Sequence, residues 1–379
     1  MSSPTVDGVV REWFEKDQTM IDACHETPEI AWQAINEILK RNLTDEQIGL
    51  LAAGPLETLI SQHGAAFIDR VEQEARINSR FSYLLAGVWR CGMPSEIWAR
   101  VQKAKKFEII SFANADELAS RVASLWLDEI ESANRAGKTH CVALSGGRIT
   151  QKFFASTVEQ AKARNISFER VHFFWADERC VSPTNSESNF KMANELLFAP
   201  LKISDSQIHR IRGEDSSEIA AKLAEAELRR IIPIASPSPR RGEGRGEEAN
   251  FSSNPLTPAL SPLWQGEREN LQSHGLPSLD LIFLGMGEDG HVASLFPGKT
   301  EGTNPKEICC AVKNSPKPPP NRISLSYTAI AAANQVWVLA SGTGKENALR
   351  ESLSSSGKTP LTRVVQSRLH TKIFSDISR

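Results

Sequence analysis

From Phe107 to Ala340 the chain alternates short apolar runs with stretches whose apolar residues recur at helical spacing, and this order restricts the fold more than any other feature. Phe107 to Ser111, His140 to Leu144, Val171 to Trp175, Leu279 to Leu284, Ile323 to Ser326 and Gln335 to Ala340 read as strands. Between the first two, Asn114-x-x-Glu117 is a cap signal ahead of a helix that buries Leu118, Val122, Leu125, Trp126 and Ile130. Further helices are expected from about Thr150 and from Ser216 to Arg230. Strand and helix in alternation is the signature of an α/β domain.

At 379 residues the chain exceeds what one core comfortably serves, and its first quarter follows a different pattern. Thr27-Pro28 opens a helix carrying Ile30, Ala31, Ile35 and Ile38, and Thr44-x-x-Gln47 is a capping box opening another that Gly54-Pro55 is expected to stop. We therefore divide the chain into a small all-α module, 1–105, and an α/β domain, 106–379. A Pro-, Ser-, Gly-, Arg- and Glu-rich insertion at 233–274 interrupts the second, with a composition that cannot form a packed core.

Charge and cysteines narrow the function. The 44 basic and 46 acidic side chains nearly cancel, leaving no overall field for nucleic acid or an anionic membrane. Arg240, Arg241 and Arg245 of the insertion are offset by Glu243, Glu247 and Glu248. Six dispersed cysteines without ligand spacing favour reduced thiols, and with no signal-like start and no apolar run of about 18 residues a cytoplasmic location is expected.

Chemistry concentrates at strand ends. Gly285-Met286-Gly287-Glu288-Asp289-Gly290-His291 follows the Leu279 strand, where α/β folds bind ligands. Its glycines let backbone approach a ligand, and Asp289 stands two residues from His291, an imidazole able to take a proton from water while the carboxylate orients it. Ser145, Gly146 and Gly147 lie between a strand and a helix start, where free N–H groups receive a phosphate. The loop lacks the Gly-Lys-Ser/Thr ending of a nucleotide P-loop, which points to a small phosphorylated substrate. Arg179 offers either a fork for an anion or a structural ion pair with Asp177 and Glu178, and Arg322 and Lys345 add cations at other loop edges. His140, His172, His209 and His370 lie outside these motifs and read as structural.

Together Ser145-Gly146-Gly147, Asp177-Glu178-Arg179 with Ser188-Asn189, the run Gly285 to His291 into Ala293-Ser294-Leu295-Phe296-Pro297, Arg322-Ile323-Ser324-Leu325, and Gly342 with Lys345 resemble the 6-phosphogluconolactonase family. The resemblance implies a mostly parallel open sheet with helices on both faces, modified Rossmann-like, of the glucosamine-6-phosphate isomerase/lactonase type. It implies hydrolysis of 6-phospho-D-glucono-1,5-lactone without metal or cofactor. His291 would be the water-activating base with Asp289 beside it, and Ser145, Gly146, Gly147, Arg179, Arg322 and Lys345 would be substrate and phosphate contacts. Arg148-Ile149 stands where family members carry Ser or Thr and then Pro. Two alternatives stay open: an amino-sugar-phosphate isomerase or deaminase, and a non-catalytic sugar-phosphate sensor. The 1–105 module resembles small bacterial helical domains of unknown function and is a candidate for binding a protein partner or a second copy.

Overall fold

The computed structural model describes residues 4–15, 19–105, 107–232, 276–354, 357–368 and 370–377; the insertion read at 233–274 lies outside them. The first helices are Val6–Phe14, Thr19–Glu26, Pro28–Leu39, Asp45–Leu51, Glu57–Ile77, Ser79–Ala86 and Ser95–Ala104. Their apolar faces meet around Trp32, whose ring lies 5.9 Å from Phe67 and 5.4 Å from Phe81. The Thr44 box forms as expected: Gln47 N–H donates to Thr44 Oγ1 at 3.2 Å, and Thr44 N–H donates to Gln47 Oε1 at 2.9 Å.

Gly54-Pro55 does not stop that helix. The chain widens into a π-helical turn, Ala52–Leu56, and continues into Glu57–Ile77. Proline in a regular α-turn would collide with the carbonyl four residues back and leave it without a donor. A wider turn moves that carbonyl away, and this is how proline is carried inside a helix. Cys24 Sγ donates to the Pro55 carbonyl at 3.2 Å, so the turn is also held from a neighbouring helix.

Beyond Lys105 the α/β pattern holds. Six strands, β1 (Phe107–Ser111), β2 (His140–Leu144), β3 (Val171–Trp175), β5 (Leu281–Gly285), β8 (Gln335–Ala340) and β9 (Thr371–Ser375), form a sheet in the order β1-β9-β8-β5-β2-β3. Every pairing in it is parallel. The strand expected at Leu279 starts two residues later, because Leu279 and Asp280 carbonyls accept from Asn334 and Gln335 N–H groups as an entry turn.

Three further strands, β4 (Asp177–Arg179), β6 (Cys309–Val312) and β7 (Arg322–Leu325), make an antiparallel sheet in the order β4-β7-β6; β7 is the strand expected at Ile323 to Ser326, one residue earlier, and the other two carry no strand signal of their own. Between the sheet and the helices Ala115–Arg135 and Arg148–Arg164 sits an aromatic core centred on Trp126, fully buried and 5.3–5.5 Å from the Phe153 and Phe283 rings.

The topology decides where the site lies. From β2 the chain passes to β3 on one side, whereas from β5 it reaches β8 on the other. Successive connections therefore diverge above the adjacent C-terminal ends of β2 and β5, and that divergence opens a crevice. The loops after β2, β5 and β8 all empty into it.

Candidate active site

The crevice is a cleft of about 300 Å³. All eight residues read as site residues except Asp289 line it directly, and Asp289 stands behind His291. His291 Nδ1 and Asp289 Oδ1 are 2.5 Å apart. An ionised carboxylate only accepts, so the proton of this bond sits on Nδ1 and Nε2 is left as the basic nitrogen. Burial works against ionisation of Asp289, but the hydrogen bond and charge of His291, with Lys317 Nζ at 3.7 Å, outweigh it and hold the carboxyl well below the usual range. The imidazole rests on the Phe296 ring, 4.7 Å between centroids.

Glycine is required at Gly287. A Cβ there would lie 2.0 Å from His291 Nδ1 and 2.7 Å from Asp289 Oδ1, so any side chain would displace the pair. Gly287 N–H donates to the His291 carbonyl at 2.9 Å, closing the loop on itself. Ala293, just beyond, holds φ 49°, the left-handed region that costs a residue with a Cβ about 1 kcal/mol or more.

The β2 loop presents backbone. Ser145 Oγ donates to the Phe283 carbonyl at 2.7 Å, so its hydroxyl proton ties β2 to β5 and only its lone pairs face a ligand. Gly146 packs against Asn189, whose Oδ1 would be 1.9 Å from an added Cβ. Gly147, at φ 118°, precedes helix Arg148–Arg164 without a side-chain cap, so first-turn N–H groups open toward the cleft. The helix starts at Arg148, two residues ahead of expectation. Arg148 is exposed at the lip. Lys345 faces it; burial first, then Arg148, pushes the lysine's pKa down, against Glu288 and Asp376.

The second sheet delivers the arginines. Arg179 and Arg322 are register partners across β4 and β7, two like charges side by side. No ion pair forms among Asp177, Glu178 and the Arg179 side chain. Arg179 Nη1 donates to the Glu187 carbonyl at 2.6 Å, and its Nε, shielded from solvent, has no partner. Glu178 instead accepts the N–H groups of Arg179, Asn189 and Phe190, each at 2.8 Å. Arg322 is held by the carbonyls of Lys317, Pro318 and Pro319 at 2.8–3.0 Å, which leaves Nη1, 3.5 Å from Ser294 Oγ, as its least committed donor. Burial lowers its pKa.

Sequence reading underweighted two participants. Asp177, which the sequence offers as an ion-pair partner and as part of the family resemblance, lines the cleft, accepting from Ser294 Oγ at 2.7 Å and with Asn189 Nδ2 at 3.4 Å. Lys317 reaches Asp289 from a distant loop, and no local pattern signals it. Of the remaining histidines, His209 bridges His172 (2.8 Å) and Glu227 (2.7 Å), and His140 accepts from Trp126 Nε1 at 3.3 Å, all away from the cleft. Among the described residues no three His, Cys, Asp or Glu side chains gather as a metal-ligand set, all six cysteines are unpaired, and no helix is long and apolar enough to cross a membrane.

A parallel sheet whose strand ends carry a histidine–carboxylate pair and several cations defines an α/β enzyme with a cationic cleft. The family model of glucosamine-6-phosphate isomerases/6-phosphogluconolactonase matches residues 113–373, and that of a family of unknown function, DUF6869, matches residues 4–109. The 6-phosphogluconolactonase of Treponema pallidum (strain Nichols) is 28% identical over 233 residues, 62% of this chain and 80% of that one. The chloroplastic 6-phosphogluconolactonase 3 of Arabidopsis thaliana is 31% identical over 219 residues, 58% of each chain. A solved 6-phosphogluconolactonase from Trypanosoma brucei shares the fold, with a TM-score of 0.56 at 22% identity, covering 70% of this chain and 95% of that one. The chain belongs to the glucosamine-6-phosphate isomerase/6-phosphogluconolactonase family.

Proposed function

We propose that the protein hydrolyses 6-phospho-D-glucono-1,5-lactone to 6-phospho-D-gluconate in the oxidative pentose phosphate pathway, with His291 as general base. The observation that carries this reading is the 2.5 Å contact of His291 Nδ1 with Asp289, which leaves Nε2 free to accept a proton at a cleft ringed by cations. Nε2 takes a proton from water as its oxygen attacks C1. The tetrahedral intermediate then expels the ring oxygen, which leaves as the C5 hydroxyl with the proton returned by the imidazolium. Asp289 holds the imidazolium between these steps.

The glycine loop Ser145, Gly146 and Gly147, the uncapped helix start and Lys345 suit the phosphate, and Arg179 and Arg322 suit the growing oxyanion and hydroxyls. Two guanidinium groups opposite each other in a ladder repel, so an anion between them is the natural complement. Four unpaired buried thiols, Cys24, Cys141, Cys309 and Cys310, accord with a reducing, cytoplasmic setting. The division at 105/106 and a role of the module in contacting a protein partner or second copy belong to this reading; sedimentation of the full chain across a hundredfold concentration range tests self-association.

The decisive assay follows hydrolysis of freshly generated lactone, corrected for spontaneous opening, beside His291→Ala. Loss of the base is expected to lower kcat by about 10²–10⁴-fold. Wild-type turnover that survives intact in the variant, or ammonia release from glucosamine 6-phosphate in place of lactone hydrolysis, would overturn the assignment.

A further inference from the structure

A second cavity, about 570 Å³, is larger than the catalytic cleft and shares no lining residue with it. It lies where the helical module meets the α/β domain, walled on one side by Trp89, Trp98 and Lys105 and on the other by Leu349 and Leu353. Its volume is that of a small-molecule site, and junctions between domains are where such sites form. Trp89 is 72% exposed, an indole spent on no core. Lys105 is the opposite: 6% exposed, and the one charged lining residue that is buried.

An ammonium carries three donors. Lys105 Nζ donates to the Val88 carbonyl at 2.9 Å and stands 4.7 Å over the Trp98 ring, so one carbonyl and one π-face are its near neighbours. Neither is an anion, and among the described residues the Val88 carbonyl is the one hydrogen-bond acceptor at Nζ. Burial pushes the lysine's pKa down to about 8, with Glu108 and Glu57 acting more weakly in the other direction. The lining also carries Glu108 and Glu346 and, offsetting them, Arg90 and Arg350, so Lys105 is the buried charge in otherwise mostly apolar and aromatic walls, the complement of a flat molecule with an acid group.

We propose that this cavity is a binding site for a small aromatic anion, a carboxylate or sulfonate, whose acid group pairs with Lys105 while its ring lies against Trp89. The module is then a ligand-binding attachment to the catalytic domain. Neutral apolar molecules would fill the same walls but leave the lysine as it is, so selectivity for the anion is the distinguishing property.

The test titrates the full chain with 8-anilinonaphthalene-1-sulfonate, reading dye emission on tryptophan excitation. One saturable site per chain is expected, weakened about tenfold or more in Lys105→Met, as for loss of a charged hydrogen bond. The uncharged dye N-phenyl-1-naphthylamine is expected to lose less than about threefold on the same change. Trp89→Ala, at an exposed position that spares the fold, is expected to weaken both dyes, and it carries the test if Lys105→Met fails to fold. Arg179→Met, in the catalytic cleft, is expected to leave sulfonate binding unchanged. Absence of saturable binding, sulfonate affinity unaffected by Lys105→Met or by Trp89→Ala, or an equal loss in Arg179→Met would overturn the proposal.

Discussion

Replacing Asp289 by Asn keeps the shape of the side chain behind His291 and removes its charge. A hydrogen bond to an ionised partner contributes about 1.5–3 kcal/mol against about 1 kcal/mol for a neutral one, so the imidazolium formed during hydrolysis loses about 0.5–2 kcal/mol of support. With 34% of the Asp289 side chain exposed, solvent screens part of this and the lower end applies. That alone lowers the rate about two- to fivefold. The amide adds a second fault: when its NH₂ faces Nδ1, the imidazole proton must sit on Nε2, where the lone pair is needed. Together the two predict a fall in kcat of about 10²–10³-fold. KM should change less than about threefold, because neither residue is assigned to the phosphate. The assay follows proton release from fresh lactone in weak buffer, subtracting the spontaneous rate, with thermal melting to confirm folding. A kcat within threefold of wild type, or a raised KM at unchanged kcat, would refute the argument that Asp289 acts through the imidazole.

Other expectations follow from the same geometry. Gly287→Ala places a Cβ 2.0 Å from His291 Nδ1 and is expected to reduce kcat about 10²-fold with the fold retained; activity within threefold of wild type would contradict the packing. Lys345→Met is expected to raise KM about tenfold or more with kcat nearly unchanged, which steady-state kinetics over a wide lactone range will decide. Stability should fall with acid in two stages. Burial pushes the His140 and His370 pKa values below their ordinary 6.5, so the unfolded chain takes up those protons first as pH drops through that value. Glu214, hydrogen-bonded to Arg210, and Glu227, hydrogen-bonded to Arg230, are held at about 2; their contribution is complete above about pH 4.5 and is lost as pH falls toward 2. Urea midpoints measured from pH 8 to pH 3 should decline through both windows, and a flat profile would count against these assignments.

How far the chain could be read from its letters depended on where each element gets its stability. Phe107–Ser111, His140–Leu144, Val171–Trp175 and Gln335–Ala340 carry their own apolar signal and were legible residue for residue. Asp177–Arg179 is three charged residues in a row, and what makes it a strand is distant: Ser294 and Asn189 on Asp177, and backbone N–H groups on Glu178. Thr371–Ser375 has Lys372 as its second residue and becomes an inner strand only because β1 and β8 flank it, with the ammonium 5.3 Å over the Trp337 ring. The pair Asp289–His291 was legible because both partners lie in one loop. Lys317 and the commitment of Arg322 to three carbonyls were not, since each depends on a loop that no nearby residue specifies.

One short helix, Glu346–Leu353, takes Lys345 of the cleft as its N-cap and turns Leu349 and Leu353 toward the helical module. A substitution in these eight residues is therefore expected to act at two places at once, on the cleft through Lys345 and on the fit with the module through Leu349 and Leu353. Recombination that exchanges the module for another sequence must bring a matching helix with it, so the two halves are expected to be inherited as a unit.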